Sequence, residues 1–296
     1  MNAGAALSSD AIAALAISAE RHERVHQGRR LCWRRFGDGP PLVLLHGGHG
    51  SWLHWVRNVQ ALAATHTLWL PDMPGFGDSE PLACEPHAPE RLQFLVDALM
   101  ASLDTLVGRG AVINLAGFSF GGLVAARLAA LRGDVRRLAL LGPAGHGGRR
   151  RQVQALREWR LGDAAEQAAA LRFNLGSFML HGPAADDEQA LQVHSLCCRQ
   201  TRFRSRSISL QGLLPATLRE LQQPTLLLWG EHDVTAEPEQ IAPLLVAGQP
   251  AHAWRVLPGA GHWVQYESAD AINALLADWF GAAPPTPKQP TSAAPG

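Results

Sequence analysis

Residues 112–122 read Val-Ile-Asn-Leu-Ala-Gly-Phe-Ser-Phe-Gly-Gly, a short apolar run that ends in a glycine-rich turn. The run Val112–Ala116 predicts a buried strand, and Leu123–Leu131 predicts a helix directly after the turn. Gly117-x-Ser119-x-Gly121 therefore has the strand–turn–helix context of a nucleophile elbow, in which a serine sits on a strained turn. Glycine on either side lets the strand and the helix approach closely. We predict that Ser119 is a nucleophile. The alternative is a surface serine on an ordinary turn.

Further apolar runs surround this stretch and are bounded by turn residues. They predict buried strands at Leu42–Leu45, Thr67–Leu70, Leu138–Leu141, Thr225–Trp229 and Trp254–Leu257. Their near-continuous hydrophobicity is typical of parallel strands covered on both faces. Arg21–Gln27 and Arg30–Phe36 flank Gly28 and predict an antiparallel hairpin at the sheet edge.

Helical patterns alternate with these strands, one from Pro89 to Val107 and another after Ser268, a plausible N-cap. The alternation predicts an α/β fold with a doubly wound, mostly parallel sheet. It stops between residues 143 and 212, where helical, arginine-rich patterns contain no strand candidate. An insertion there would lie above the carboxyl ends of the strands, where open sheets bind ligands. We predict an N-terminal extension (1–20), a core (21–142 and 213–281), a helical cap (143–212) and a disordered proline-rich tail (282–296).

A second glycine-rich loop, His46-Gly47-Gly48-His49-Gly50-Ser51, follows the strand Leu42–Leu45. Acyl transfer needs two backbone N–H groups aimed at the oxyanion, one from the residue after the nucleophile and one from such a loop. We predict that Phe120 and Gly48 supply them. A phosphate-binding loop would require G-K-S/T or G-x-G-x-x-G, and neither is present.

Two further loops offer a base and an acid. His262 follows the strand Trp254–Leu257 in a Gly-Ala-Gly-His-Trp segment, and Asp233 follows Thr225–Trp229. A serine hydroxyl becomes a useful nucleophile when an imidazole takes its proton and a buried carboxylate orients that imidazole. We predict His262 as the base and Asp233 as the acid, with Glu231 as the competing acid.

Composition excludes several classes of function. The 296 residues include 26 basic and 26 acidic side chains, so the formal net charge is zero and a nucleic-acid partner is not expected. Four cysteines are too few for a disulfide scaffold, and no secretory signal or membrane span is evident, which favours the cytoplasm. His46 and His49 lack the spacing of a metal site, so we predict neither a metal nor a cofactor. A homo-oligomer is compatible with the sequence.

The chain resembles the α/β-hydrolases across roughly residues 21–281. The resemblance lies in His46-Gly47-Gly48, the segment Pro71 to Ser79, the elbow, Gly230 to Asp233 and His262, all in family order. It implies a serine hydrolase without a cofactor, acting on a small molecule, and it implies a structural role for Asp72. A serine nucleophile differs from the aspartate of the dehalogenase and epoxide hydrolase branches.

Within the family, the segment from Gly261 to Glu267 is similar to meta-cleavage-product hydrolases, which cut carbon–carbon bonds in vinylogous diketone acids. That similarity implies a cap arginine for the substrate carboxylate, with Arg199 or Arg202 as candidates. The chain departs from that group at His49-Gly50-Ser51, where the group has Gly-Pro-Gly, and at Phe118, where it has Asn. We therefore expect an ester or lactone substrate, with carbon–carbon cleavage and a non-catalytic ligand-binding role as alternatives.

Aromatic residues flank the proposed site and predict a partly apolar pocket. The pocket candidates are Gly47, His49, Phe118 and Trp263, and further aromatic residues nearby are Trp52, Trp55 and Phe120.

Overall fold

The computed structural model describes residues 9–152 and 154–281. Its centre is an eight-stranded sheet in the order β1-β2-β4-β3-β5-β6-β7-β8. The strands are Glu20–His26 (β1), Arg29–Phe36 (β2), Pro41–Leu45 (β3), Thr67–Pro71 (β4), Ile113–Phe118 (β5), Val135–Leu141 (β6), Thr225–Gly230 (β7) and His252–Leu257 (β8). β3 to β8 pair in parallel, whereas β1 with β2 and β2 with β4 pair antiparallel. The predicted α/β class is confirmed.

Eleven helices are described around the sheet. They are Ser9–Ser18 (α1), Val59–Ala63 (α2), Arg91–Val107 (α3), Phe120–Arg132 (α4), Ala164–Asn174 (α5), Glu188–Gln200 (α6), Arg206–Ser209 (α7), Leu214–Glu220 (α8), Pro238–Val246 (α9), Val264–Glu267 (α10) and Ala269–Gly281 (α11). No helix within the described ranges is both long and apolar enough to cross a membrane.

The edge hairpin forms as predicted. Gln27 and Gly28 have φ of 48° and 71°, which places both turn residues in the left-handed region. A two-residue turn of this kind matches the twist of the strands that it joins, and Gly28 adopts it without steric cost.

Alternation along the strands divides the core between the two faces of the sheet. In β3, Val43 and Leu45 pack on one face, whereas Leu42 and Leu44 pack on the other. Because both faces are covered, the strand is buried along most of its length. The continuous apolar runs in the sequence follow from this burial.

Several strand boundaries differ from the prediction. β5 begins at Ile113 and continues to Phe118, because its ladder with β6 extends to the Phe118–Leu141 pair, while Val112 is exposed. β6 begins at Val135, before two arginines that hide the strand in the sequence. The guanidinium of Arg137 lies 4.8 Å from the Trp279 ring centroid, which allows this charged residue to be largely covered.

A helical insertion separates β6 from β7. Besides α5, α6 and α7, it contains a π-helix, Leu175–Met179, and a 3₁₀ helix, Gly182–Asp186. Asp163 caps α5 with a capping box that includes Glu166. The predicted proline-rich tail, 282–296, lies outside the described residues, as do residues 1–8 of the predicted extension. The remaining domain boundaries stay predictions.

Candidate active site

Ser119 lies at the tight turn between β5 and α4. Its φ of 53° and ψ of −116° are unusual for a residue with a side chain, and its N–H donates to the Leu141 carbonyl at 2.8 Å. A Cβ on Gly117 would overlap the Gly121 carbonyl, and a Cβ on Gly121 would overlap the His46 carbonyl. The two glycines therefore permit the turn that presents the serine hydroxyl.

The side chains of Ser119, His262 and Asp233 meet at this turn. His262 Nε2 lies 2.9 Å from Ser119 Oγ, and His262 Nδ1 lies 2.8 Å from Asp233 Oδ2. If the carboxylate is ionised it can only accept, so Nδ1–H donates to it and Nε2 is left to accept the serine proton. The arrangement has the hydrogen-bond polarity that a general base requires.

The carboxylate of Asp233 is fully buried but well supplied with donors. Thr235 donates to Asp233 Oδ1 through both its N–H and its hydroxyl, each at 2.7 Å. Burial alone would raise the pKa of Asp233, yet the nearby imidazole of His262 and these hydrogen bonds hold that pKa below its usual range. Asp233 is therefore the anionic partner of His262.

Gly142, at the end of β6, lies beside this pair with φ of 48°. A Cβ there would lie 3.0 Å from both Asp233 Oδ2 and His262 Nδ1. Glycine thus leaves room for the imidazole and the carboxylate, a role that the sequence alone did not indicate.

Glu231, the competing acid, faces away from the imidazole. Its Oε2 accepts the Gly259 N–H at 2.9 Å, and its side chain is half exposed. One residue separates it from Asp233, and the chain turns there, since the Asp233 N–H donates to the Gly230 carbonyl. The structure brings Asp233, and not Glu231, to His262.

The loop after β3 is held by two buried imidazoles. His46 Nδ1 donates to the Gly47 carbonyl at 2.8 Å, and His46 Nε2 accepts the Met73 N–H at 3.0 Å. The Gly47 N–H donates to His54 Nδ1 at 3.2 Å. Both histidines must be neutral to make these bonds. In agreement, burial lowers the pKa of His46 to about 4 and places that of His54 well below its usual value.

These contacts set the direction of the Gly48 amide. The Gly47 carbonyl and the Gly48 N–H belong to one trans peptide, so they point to opposite sides. Because His46 holds the carbonyl in the interior, the Gly48 N–H points away from that imidazole. A Cβ on Gly47 would lie 3.2 Å from Ser119 Cβ, and one on Gly48 would lie 3.8 Å from Phe120 Cβ. The loop is therefore packed against the elbow.

His49 follows in the same loop with φ of 52°. Burial of the imidazole lowers its pKa, and the charge of Arg160 lowers it further. Arg160, in the helical insertion, therefore lies close enough to act on this side chain. His54 and Arg160 were not identified from the sequence, because neither lies in a recognisable motif.

The predicted aromatic residues differ in how they lie relative to the reacting groups. The Phe118 ring lies 5.0 Å from the His262 ring, next to the reacting groups. Trp263 is fully buried, and its Nε1 donates to the His54 carbonyl at 2.9 Å. Trp52, Trp55 and Phe120 are also buried. The sequence missed Phe178, whose ring lies 5.4 Å from that of His262.

The two predicted cap arginines make contacts elsewhere. Arg202 Nη2 donates to the carbonyls of Gly77 and Ser79 at 2.8 and 2.7 Å. Arg199 donates to Gln167 within the insertion at 3.3 Å. The helical pattern of the sequence did not reveal the direction in which these side chains project.

Arg150 is the arginine that lies closest to Phe178 in the described contacts, 5.9 Å from its ring centroid. The two arginines next to it in sequence have partners: Arg149 pairs with Glu237, and Arg151 donates to the Glu231 carbonyl. Within the described residues Arg150 has no hydrogen-bond or ion-pair partner, and its Nε is buried. Burial lowers the pKa of Arg150, which the charge of Asp233 partly offsets.

Asp72 has a structural role, as the family resemblance implied. Its Oδ1 accepts the Trp52 N–H at 2.9 Å, and its Oδ2 accepts from Arg34 at 2.9 Å. Arg34 also pairs with Asp78 at 2.6 Å. Together with Cys32 these carboxylates form a cluster of ligand-type atoms, but both carboxylates already pair with the Arg34 guanidinium.

Comparison with known proteins agrees with the fold. The profile of the alpha/beta hydrolase fold family matches residues 40–269, and the chain belongs to that family. The esterase RhEst1 from Rhodococcus sp. ECU1013 shares the fold, with a TM-score of 0.70, 22% identity and coverage of 90% of this chain and 99% of that one.

Two curated relatives carry different activities in their names. A dihydrolipoyllysine-residue acetyltransferase component of the acetoin cleaving system from Pseudomonas putida is 32% identical over 84% of this chain, which covers only 66% of that longer protein. A 2-hydroxy-6-oxononadienedioate/2-hydroxy-6-oxononatrienedioate hydrolase from Paraburkholderia phymatum is 30% identical over 81% of this chain and 86% of its own length.

Proposed function

We propose that this protein is a cytoplasmic serine hydrolase that cleaves a carboxylic ester or lactone of a small, partly apolar substrate through an acyl-enzyme. The observation that supports it best is the pair of hydrogen bonds that His262 makes, 2.9 Å to Ser119 and 2.8 Å to Asp233. A ligand-binding relative without activity would not need a buried carboxylate, an imidazole and a strained serine in this arrangement.

The proposed first step is attack by Ser119. Oγ forms a bond to the substrate carbonyl carbon while its proton moves to His262 Nε2, and Asp233 stabilises the imidazolium. The carbonyl oxygen becomes an oxyanion that accepts from the N–H groups of Gly48 and Phe120. Since Phe120 is the first residue of α4, its N–H has no partner within the helix and can donate to the oxyanion.

Collapse of the tetrahedral intermediate releases the alcohol, which takes the proton from His262. Water then attacks the acyl-enzyme carbonyl carbon and gives its proton to the same Nε2 atom. The second tetrahedral intermediate expels Ser119, which recovers its proton as the acid leaves. We further propose that the helical insertion acts as a cap, with Phe118, Phe178 and the glycine loop lining the pocket beneath it.

The decisive experiment compares wild-type protein with Ser119→Ala on a panel of aryl esters and lactones. Removal of the nucleophile should lower kcat by roughly three to six orders of magnitude. A fluorophosphonate probe should label the wild type at Ser119 and leave the variant unlabelled. Equal ester turnover by both proteins would refute the proposal.

Carbon–carbon bond hydrolysis is the second candidate function. It is favoured by the relative from Paraburkholderia phymatum, whose name describes a dienedioate hydrolase. Loss of absorbance from a coloured dienoate diketone, at a rate above that for every ester tested, would support this candidate. Transfer to an acceptor other than water would use the same residues, and product analysis with added alcohols or thiols distinguishes it.

A further inference from the structure

Glu267 lies at a junction between the loop that carries His262 and the helical insertion. Its Oε2 accepts the Gly261 N–H at 2.7 Å, and its Oε1 accepts the His181 N–H at 2.6 Å. One carboxylate therefore bridges the residue before His262 to a residue of the insertion. The residue after His262 is attached to the insertion as well, since Trp263 N–H donates to the Met179 carbonyl at 2.7 Å.

The same segment of the insertion also contacts the base and the acid loop through its side chains. The Phe178 ring packs edge-on to the His262 ring at 5.4 Å, and the His181 ring stacks on the His232 ring at 3.7 Å. His232 immediately precedes Asp233. We refer to residues 178–181 as the docking segment, because they contact both loops on which His262 depends for its position.

The contact is close enough to constrain residue 261. A Cβ on Gly261 would lie 2.9 Å from Glu267 Oε2 and 3.0 Å from His181 N. Only glycine lets the loop approach the carboxylate and the docking segment together. The backbone of the His262 loop therefore contributes to the junction, in addition to the side chain of Glu267.

No ion pair involves Glu267 within the described residues. Burial raises its pKa to about 7, the two amide hydrogen bonds oppose this rise, and the charge of Asp233 adds to it. In a neutral carboxyl group one oxygen carries the hydrogen and is a weaker acceptor, whereas both oxygens of a carboxylate accept strongly. The junction is therefore strongest in the ionised form.

We propose that Glu267 is a positioning residue whose carboxylate couples the placement of His262 to the docking of residues 178–181. The proposal rests on the proposed function for the role of His262, but the coupling itself is a property of the fold. Loss of one oxygen acceptor should loosen the His262 loop and the docking segment together. The substrate site would then open at the same time as the base loses its alignment with Ser119.

Other titratable groups face this junction and must be separated from Glu267. They are His181 on the docking segment, Glu231, His232 and Asp233 on the acid loop, and His262 itself. The variant Glu267→Gln removes only the titration of residue 267, and it keeps the side-chain length while replacing one oxygen acceptor by an amide donor. A pH dependence that disappears in this variant belongs to the carboxylate.

Glu231→Gln is a matched control. Glu231 also accepts one backbone amide from the loop that carries His262, that of Gly259 at 2.9 Å, but it makes no contact with the docking segment in the described hydrogen bonds. Its change should leave the docking segment and the kinetics close to those of the wild type.

Hydrogen–deuterium exchange provides the readout that does not depend on activity. In the wild type, exchange of peptides containing residues 178–181 and 259–263 should increase together as the pH falls from 8 to 6, after correction for the intrinsic rate. Glu267→Gln should show about tenfold faster exchange in both peptides at pH 8, with no further increase at pH 6. Exchange that changes in one peptide only, or in neither, would overturn the proposal.

Kinetics complete the test. Glu267→Gln should lower kcat for an aryl ester by about tenfold to a hundredfold and raise KM, because a small displacement of the base is costly. A melting temperature close to that of the wild type establishes folding, and Glu267→Asp, whose shorter side chain reaches one amide, replaces a variant that does not fold. If Ser119→Ala were as active as the wild type, the proposed function would fail while the exchange result stood. Wild-type kinetics in a folded Glu267→Gln would refute the positioning role alone.

Discussion

Arg150 holds a charge that no acceptor in the described part of the chain neutralises. A guanidinium offers five N–H donors and does not lose its proton, so a half-buried one gains stability from an anion. Its position beside Phe178, which in turn contacts His262, places that unsatisfied charge close to the proposed reaction. The arrangement favours an acidic substrate or an acidic leaving group.

Arg150→Gln should therefore raise KM for an ester with a free carboxylate by about tenfold or more, and leave KM for a neutral ester of equal size nearly unchanged. The expected size follows from a charge-assisted hydrogen bond of about 1.5–3 kcal/mol. Steady-state kinetics on the two esters measure the difference. Arg199→Gln is the control, since Arg199 contacts Gln167 and Trp159 within the insertion. If Arg199→Gln raised KM for the carboxylate ester alone, and Arg150→Gln changed neither KM, the substrate carboxylate would be assigned to Arg199 instead.

The elements that present Ser119 depend on backbone contacts that leave no room for a methyl group. A Cβ on Gly121 would overlap the carbonyl oxygen of His46 and lie close to that of Leu45, the last residue of β3. Helix α4 can escape this overlap only by moving away from β3, which would displace Ser119 from the loop that contains Gly48.

Gly121→Ala should accordingly destabilise the fold by about 1–3 kcal/mol and lower kcat by more than a hundredfold. Gly281→Ala is the control, because a Cβ at the end of α11 would meet no atom within 4 Å. Urea unfolding and ester turnover on both variants give the two numbers. A fully active, wild-type-stable Gly121→Ala protein would show that the turn has more space than these distances allow.

The sequence predicts the buried strands and the glycine-rich turn at Ser119 well. Strands buried on both faces leave continuous apolar runs, and the strained turn at Ser119 requires glycine at fixed positions. The first residues of β6 were missed because Arg136 and Arg137 interrupt the apolar pattern, although Trp279 covers one of them. Trp279 lies 142 residues after Arg137, so the sequence around Arg137 does not indicate that this arginine is covered.

The supporting residues of the candidate site were missed for the same reason. His54 is recognised only once Gly47 is seen to donate to it, and Thr235 only once Asp233 is placed. The bridging role of Glu267 is recognised only once the N–H of His181, in the insertion, is seen to donate to its Oε1. The assignment of Arg199 required the direction of a helix face, which periodicity alone does not give, and Arg202 lies beyond the end of α6.

At the scale of the whole molecule, buried histidines dominate the response to acid. Burial lowers the pKa of His46 and of His194 to about 4, and it places that of His54 well below its usual value. The unfolded chain, with ordinary histidine pKa values near 6.5, therefore binds more protons than the folded chain between about pH 4 and 6.5. Glu267 acts in the opposite direction, because its folded pKa is raised and the folded state keeps its proton between about pH 4.5 and 7.

Five further histidines also have lowered pKa values, and they are His49, His66, His146, His181 and His252. These eight histidines outweigh Glu267, so unfolding takes up protons and stability should fall as the pH decreases from 6.5 to 5. Each net proton taken up corresponds to about 1.4 kcal/mol per pH unit, so we expect a slope of roughly 2 kcal/mol per pH unit or more. Urea unfolding at intervals of half a pH unit measures this slope. His194 lies beside Cys198 and makes no hydrogen bond to the loop after β3 in the described part of the chain, so His194→Gln should reduce the slope by about one proton. A slope that is flat or reversed in the wild type would mean that these imidazoles are charged in the folded protein, and the hydrogen bonds assigned to His46 and His54 could not then exist.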